Sequence, residues 1–414
     1  MIPPTQNSPP LKVLLVNQVF YPDVVSTAQH LTDLAVDLAR KGCRVTVLAG
    51  RRGYAKPHPR FPGKEEYKGV RIIRVCPFHF GRSNRMARFL DALALNLAFV
   101  VRMAFLPRFD RVVAMTSPPM VAFSALLFAR LRGGRLIYWM MDLNPDQAIE
   151  AGWIRRGGLR ANFLEAALRF VLKNSDGIVV LDRFMKDRVI AKGAPERKIS
   201  VLPPWAHSDD LEIIPHEKNP FRAKYRLENK FIVMYSGNHS VCHPLDTVLE
   251  AALLLRNDPE VMFLFIGGGE RVKDVLRYRE GHGLSNLVYL DYLPRSEIKY
   301  SLSAANLHVV VMGEAYPGIV HPCKIYGILS LGRPFVYIGP EKSHIGDIMA
   351  GTATGYWVPH GNPRELVAVL EKVRGLEKQQ LQRIAEQSLE LGRSRFSKAV
   401  LSERLVEFIL GNQA

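Results

Sequence analysis

"LKVLLVNQVFYPDVVSTAQHLTDLAVDLARKGCRVTVLAG", residues 11–50, changes periodicity twice. Residues 11–17 are an apolar run broken only by Lys12 before the closing Asn17, with no polar alternation. After the Tyr21-Pro22-Asp23 turn, Leu31, Leu34, Ala35 and Leu38 recur at helical spacing. The pattern stops at Gly42, and Arg44–Leu48 reads as a strand again. A strand apolar on both faces, a one-sided helix and a second such strand make the crossover unit of a parallel sheet.

Outward from this unit the pattern repeats. Strand-like runs follow at 70–75, 111–115, 135–141, 177–181 and 199–202, with helical stretches between several of them. Residues 11–205 are therefore expected to form a doubly wound α/β, Rossmann-like domain with a parallel sheet. Pro203, Pro204, Asp209, Asp210, Pro215 and Pro220 interrupt the pattern, and residues 206–230 read as a linker. Strands at 231–235, 261–266, 287–290 and 307–312 then predict a second such domain over 231–392. The segment 393–414 ends in a helix, roughly 397–410, expected to pack back on the first domain. The polar, proline-rich residues 1–10 read as a flexible leader. A chain of 414 residues suits two domains better than one core.

Four cysteines, far apart, fit neither a disulfide framework nor a metal knuckle, which points to a reducing compartment. No run approaches the ~20 apolar residues that span a bilayer. The net charge of +17 is lopsided: residues 1–200 hold 32 Lys and Arg against 15 Asp and Glu, and the remainder holds 24 of each. One domain is thus expected to face something anionic, nucleic acid or a membrane. Interleaved aromatics and nucleic-acid motifs are both missing, so nucleic acid is set aside. Residues 85–106 are helical in pattern, with Arg85, Arg88, Asp91, Asn96 and Arg102 on one arc and apolar residues elsewhere. That helix either packs on the sheet or lies in a membrane interface, near Arg51, Arg52, Lys56, Arg60, Lys64, Arg71, Arg74, Arg82, Arg155, Arg156 and Arg160.

Ligands of such sheets bind at the carboxyl ends of strands. Three loops there attract attention: the one before Ser26 and Thr27, Gly267-Gly268-Gly269 after a strand, and Pro317–Lys324, where a lone cation opens an otherwise apolar helix. The triple glycine is not a dinucleotide fingerprint.

In order and spacing the chain resembles the retaining glycosyltransferases of family 4, which have the GT-B architecture of two Rossmann-like domains. Residues 21–50 resemble the family's opening unit, "YSGNHSVCHPLDTVLEAA" the start of its second domain, and "FLFIGGGE" its glycine turn. "HPCKIYGILSLGRP" is similar to the P-S-K-[IL]-Y motif of exopolysaccharide and O-antigen subgroups. The resemblance implies an acceptor-binding first domain and a second domain for a nucleoside-diphosphate sugar, with a UDP-linked donor expected. It implies donor contacts from Gly237, Asn238, His239, Gly268, Gly269, Leu293, Gly318, Ile319 and Lys324, with Ser26 and Thr27 as a phosphate loop. Lys324 meets the departing diphosphate, or is a solvated first-turn lysine. Asp142 orients or deprotonates an acceptor hydroxyl, or caps the helix near Pro145, a role Asn144 fits better. Glu314, upstream of Gly327, is expected to supply a catalytic carboxylate near the sugar. Gly327 stands where the family has a glutamate, Met141 where it often has histidine, and the family's Arg and Lys after Gly237 are missing.

The expected activity is metal-independent, cofactor-free transfer to a lipid-linked or oligosaccharide acceptor, by a cytoplasmic protein peripheral to the inner membrane face. The alternatives are a nucleotide-sugar epimerase of the same architecture and a degenerate nucleotide- or membrane-binding subunit.

Overall fold

The structure, a computed structural model, describes residues 9–23, 25–53, 60–76, 85–205 and 213–411. Most of the expected leader, residues 206–212 of the expected linker, and Lys56 and Arg82 lie outside them. The chain divides into two compact units, one of residues 1–203 with 401–414 and one of residues 204–400.

In the first unit the strands are β1 (Lys12–Val16), β2 (Arg44–Gly50), β3 (Lys64–Tyr67), β4 (Val70–Val75), β5 (Arg111–Ala114), β6 (Arg135–Trp139), β7 (Gly177–Val180) and β8 (Ile199–Val201). Their order is β3-β4-β2-β1-β5-β6-β7-β8. Every pair is parallel except β3 with β4. Val13, Leu14, Leu15 and Val16 have no exposed surface, because helices cover both faces of a parallel sheet. The helix Ser26–Arg40 buries Ala28, Leu31, Leu34, Ala35 and Leu38, the stripe its spacing predicts. The edge strand β3, KEEY, alternates exposure and carries charge, which left no apolar signal to read in the sequence.

The second unit has β9 (Phe231–Ser236), β10 (Val261–Ile266), β11 (Leu287–Leu290), β12 (Leu307–Val311), β13 (Phe335–Ile338) and β14 (Gly355–Val358). The sheet is wholly parallel, in the order β11-β10-β9-β12-β13-β14. Winding reverses between β9 and β12 here, and between β1 and β5 in the first unit. These are the switch points at which such sheets open a ligand crevice.

One segment differs from expectation. Residues 213–230 are no free linker: the helix Pro220–Lys224 sits in the second unit, with Phe221 and Leu227 buried against Ile232, Met234 and Leu264. Asn219 caps that helix, accepting from the Phe221 amide at 3.0 Å. Proline at a first helical position starts a helix, so the proline signal was ambiguous. The final helix, Lys398–Leu410, lies in the first unit from Leu401 onward. Arg111 donates to the carbonyls of Ile409 and Leu410, at 2.9 and 3.1 Å, and ties down its C-terminal end.

Candidate functional site: a buried lysine at the second switch point

The loops after β9 and β10 are locked backbone to backbone. The Gly237 amide donates to Ile266 O (2.9 Å), the His239 amide to Gly268 O (2.8 Å), and the Arg271 amide to His239 O (2.9 Å). A Cβ on Gly267 would stand 2.1 Å from Gly237 O, and one on Gly269 2.5 Å from His239 O. Both also have positive φ, 126° and 142°. Loop packing thus accounts for these two glycines. The Tyr292 ring would stand 2.7 Å from a Cβ on Gly268.

Across the switch point, the loop after β12 turns at Gly318 (φ 71°) and buries Ile319, whose amide donates to Tyr316 O at 2.9 Å. His321 is stacked on His344 at 3.6 Å and hydrogen bonded to the Tyr326 hydroxyl at 2.6 Å. This braced loop delivers Lys324 at the start of the helix Lys324–Ser330. Its Nζ is buried with no hydrogen-bond partner among the described residues. It lies 3.4 Å from the centroid of the Tyr235 ring, a cation–π contact, and 3.5 Å from where a Gly237 Cβ would stand. Burial holds the ammonium well below its ordinary pKa. The solvated-lysine reading therefore fails.

His239 and His243 join it. His239 is buried; its Nδ1 sits 3.1 Å from Gly237 O and its Nε2 has no partner. The Nδ1 of His243 is also buried and unpartnered. Burial and the Lys324 charge push their pKa values down to about 4 and about 3. His243 was missed as a site residue, although its place in the loop after β9 was the signal. Asn238 is exposed and accepts from the Tyr235 hydroxyl (2.8 Å), while Leu293 packs half-buried under the sheet. Glu314 is exposed on the loop after β12, within electrostatic reach of Tyr337.

In the first unit, Ser26 and Thr27 are the first two residues of their helix, where amides have no intrahelical acceptor. Asp142 follows β6, half-buried, and desolvation pushes its carboxyl up to about 6. Neither Asp142 nor Asn144 caps the next helix, Asp146–Glu150: the cap position is Pro145, with no side-chain bond.

The glycosyl transferase 4-like domain model matches residues 27–205. The first unit carries a glycosyl transferase 4-like domain. Two relatives named as glycosyltransferases match more of the chain. "Probable glycosyltransferase WbjE" of Pseudomonas aeruginosa is 23% identical over 304 residues, covering 72% of this chain and 76% of its own. WcaI of Escherichia coli K12, by name a colanic acid biosynthesis glycosyl transferase, is 23% identical over 353 residues, 82% and 86% of the two chains. Among solved structures, Anabaena Alr3699/HepE, crystallised with UDP and glucose, has a TM-score of 0.72 at 14% identity, over 97% of this chain and 99% of its own. That likeness gives the fold, GT-B. The chain is thus similar to glycosyltransferases over most of its length and has their GT-B fold.

Proposed function

We propose that the chain moves a sugar from UDP to a lipid-linked or polysaccharide acceptor, with retention of configuration, at an anionic membrane face. The observation that carries the donor side is the Lys324 ammonium, buried, unpartnered and beside Gly237. A buried cation without a counter-ion costs several kcal/mol, and an anionic ligand relieves that cost. A diphosphate gains charge as the sugar leaves, so Lys324 stabilises the transition state more than the bound donor. In the step the sugar C1–O bond to the phosphate breaks, a C1–O bond to the acceptor forms, and the acceptor proton passes to the leaving phosphate oxygen. Asp142 is the acceptor-side carboxylate that orients the hydroxyl. The solved relative bound to UDP and the relative named for colanic acid biosynthesis support donor and product class.

The membrane side rests on the helix Arg85–Ala104. Leu95, Phe99 and Met103 face the core, on the same arc as Asp91, Asn96 and Arg102. The opposite stripe, Met86, Phe89, Leu93, Leu97 and Val101, is exposed, and Phe105 continues it at 77% exposure. An apolar groove of about 390 Å³ runs beside it, lined by Val75, Leu97, Val101 and Phe105 with Arg102. No described helix is long and apolar enough to cross a membrane. An apolar stripe on a unit that holds the whole positive excess suits a lipid interface with anionic headgroups.

Calorimetric titration with UDP, GDP, ADP and CMP tests the donor site. UDP is expected to bind selectively, and Lys324→Ala to weaken it by about 1.5–3 kcal/mol, the range for a charge-assisted contact. Failure of the folded protein to bind any nucleotide would sink the transferase reading in favour of a degenerate subunit.

A further inference from the structure

Three buried nitrogens at the second switch point have no partner among the described residues: Lys324 Nζ, His239 Nε2 and His243 Nδ1. For His239, the partner of the other ring nitrogen fixes the tautomer. His239 Nδ1 faces the carbonyl oxygen of Gly237 at 3.1 Å, so in a neutral ring that nitrogen carries the hydrogen. His243 Nδ1 is buried without a partner, and the Val311 backbone near the ring favours its protonated form. In a neutral ring whose other nitrogen holds the hydrogen, that Nδ1 is a bare acceptor. Each free nitrogen then presents a lone pair, which repels a phosphate oxygen. Only a second proton turns either into a donor.

We propose that the donor diphosphate enters this pocket together with protons: His239 and His243 are neutral without it and become imidazolium donors to it. The inference rests on the donor-site reading above and adds His243 to the anion-binding residues. The groups acting on the two rings are Lys324, each other, the backbones of Gly237 and Gly268 at His239 and of Val311 at His243, and the phenols of Tyr235 and Tyr289 beside His239. The lysine is the charged group that acts on both rings, and it opposes their protonation. A dianion between the three reverses that balance, because it attracts each proton that Lys324 repels. The missing arginine and lysine after Gly237 are thereby replaced by charge that arrives only with the ligand.

UDP-glucose, UDP-galactose and UDP-N-acetylglucosamine are suitable probes, since a diphosphate diester does not titrate near neutrality. Calorimetry in buffers of different ionisation heat, near pH 7, counts the protons taken up. One to two are expected, with Kd rising up to tenfold per pH unit for each proton as pH increases. His243→Gln keeps a donor for Val311 and removes the titrating nitrogen; it should lower the count by about one and weaken binding roughly tenfold at the acid end. The count on the native chain stands even if that variant folds poorly. Binding without proton uptake, and with a flat pH profile, overturns this inference and leaves the donor site intact. No binding of these sugars or of UDP overturns both.

Discussion

Asp142 and Lys324 are ionisable groups whose surroundings favour the uncharged form, and they differ in how far the sequence revealed them. Lys324 was legible because a cation opening an apolar helix has few innocent explanations. His243 was not, because what singles it out is a buried, unpartnered Nδ1 that only the fold reveals. Asp142 was legible as a strand-end carboxylate, but its environment was not. Desolvation raises its folded value to about 6 from an ordinary 3.8. The native state therefore holds more protons between about pH 4 and 6, and stability falls as pH rises through that window. Asp142→Asn should add up to about 3 kcal/mol at pH 7 and nothing near pH 4. Thermal melts at the two pH values check this. If Asp142 orients the acceptor as an anion, the same variant loses turnover, and native activity falls below about pH 6. A variant that is both no more stable and fully active would remove Asp142 from the site.

At the scale of elements, the helix Lys324–Ser330 and the helix Arg85–Ala104 make opposite demands. In the first, Gly327 sits mid-helix with nothing within 4 Å of an added Cβ. The space is there for the glutamate that the family has, and this chain leaves it open. Gly327→Ala should stabilise by about 0.5–1 kcal/mol through backbone entropy alone. A melting-temperature rise with unchanged UDP affinity would mean the space is idle; weaker binding would place the ribose there. In the second helix, Leu93 and Leu97 are 56% and 63% exposed, so they carry little of the fold. Leu93→Ser with Leu97→Ser should leave the melting temperature nearly unchanged. It should cut co-sedimentation with phosphatidylglycerol vesicles several-fold, each buried leucine contributing about 1.5–3 kcal/mol. Unchanged vesicle binding would assign the stripe to a protein partner. The pattern alone located both helices. It could not say which face met the core, since Leu95, Phe99 and Met103 share an arc with the polar residues.

The chain as a whole is two units of unequal charge, each built on a sheet parallel but for the edge strand β3, with the end of the sequence built into the first. Apolar strand runs made both sheets legible; the charged edge strand β3 and the capped helix at Pro220 were hidden by composition and by an ambiguous proline. The returning helix shows what such a connection is worth. Leu401, Leu405, Val406 and Ile409 are each at most 2% exposed, and the Phe408 ring would stand 2.9 Å from a Cβ on Gly177 at the start of β7. Ser402 donates to Asp37 on the helix Ser26–Arg40 at 2.6 Å. Four buried aliphatic side chains represent roughly 6–12 kcal/mol of gross burial. That rivals the whole net stability of an ordinary domain, about 5–15 kcal/mol. A chain ending at residue 397 should therefore lose the first unit selectively. Limited proteolysis should digest residues 11–203 rapidly while a fragment containing 231–396 survives. Calorimetry should still detect UDP, because Tyr235, His239, His243 and Lys324 all belong to the second unit. Equal protease resistance of both units would show that the helix is an ornament of the first unit rather than part of its core.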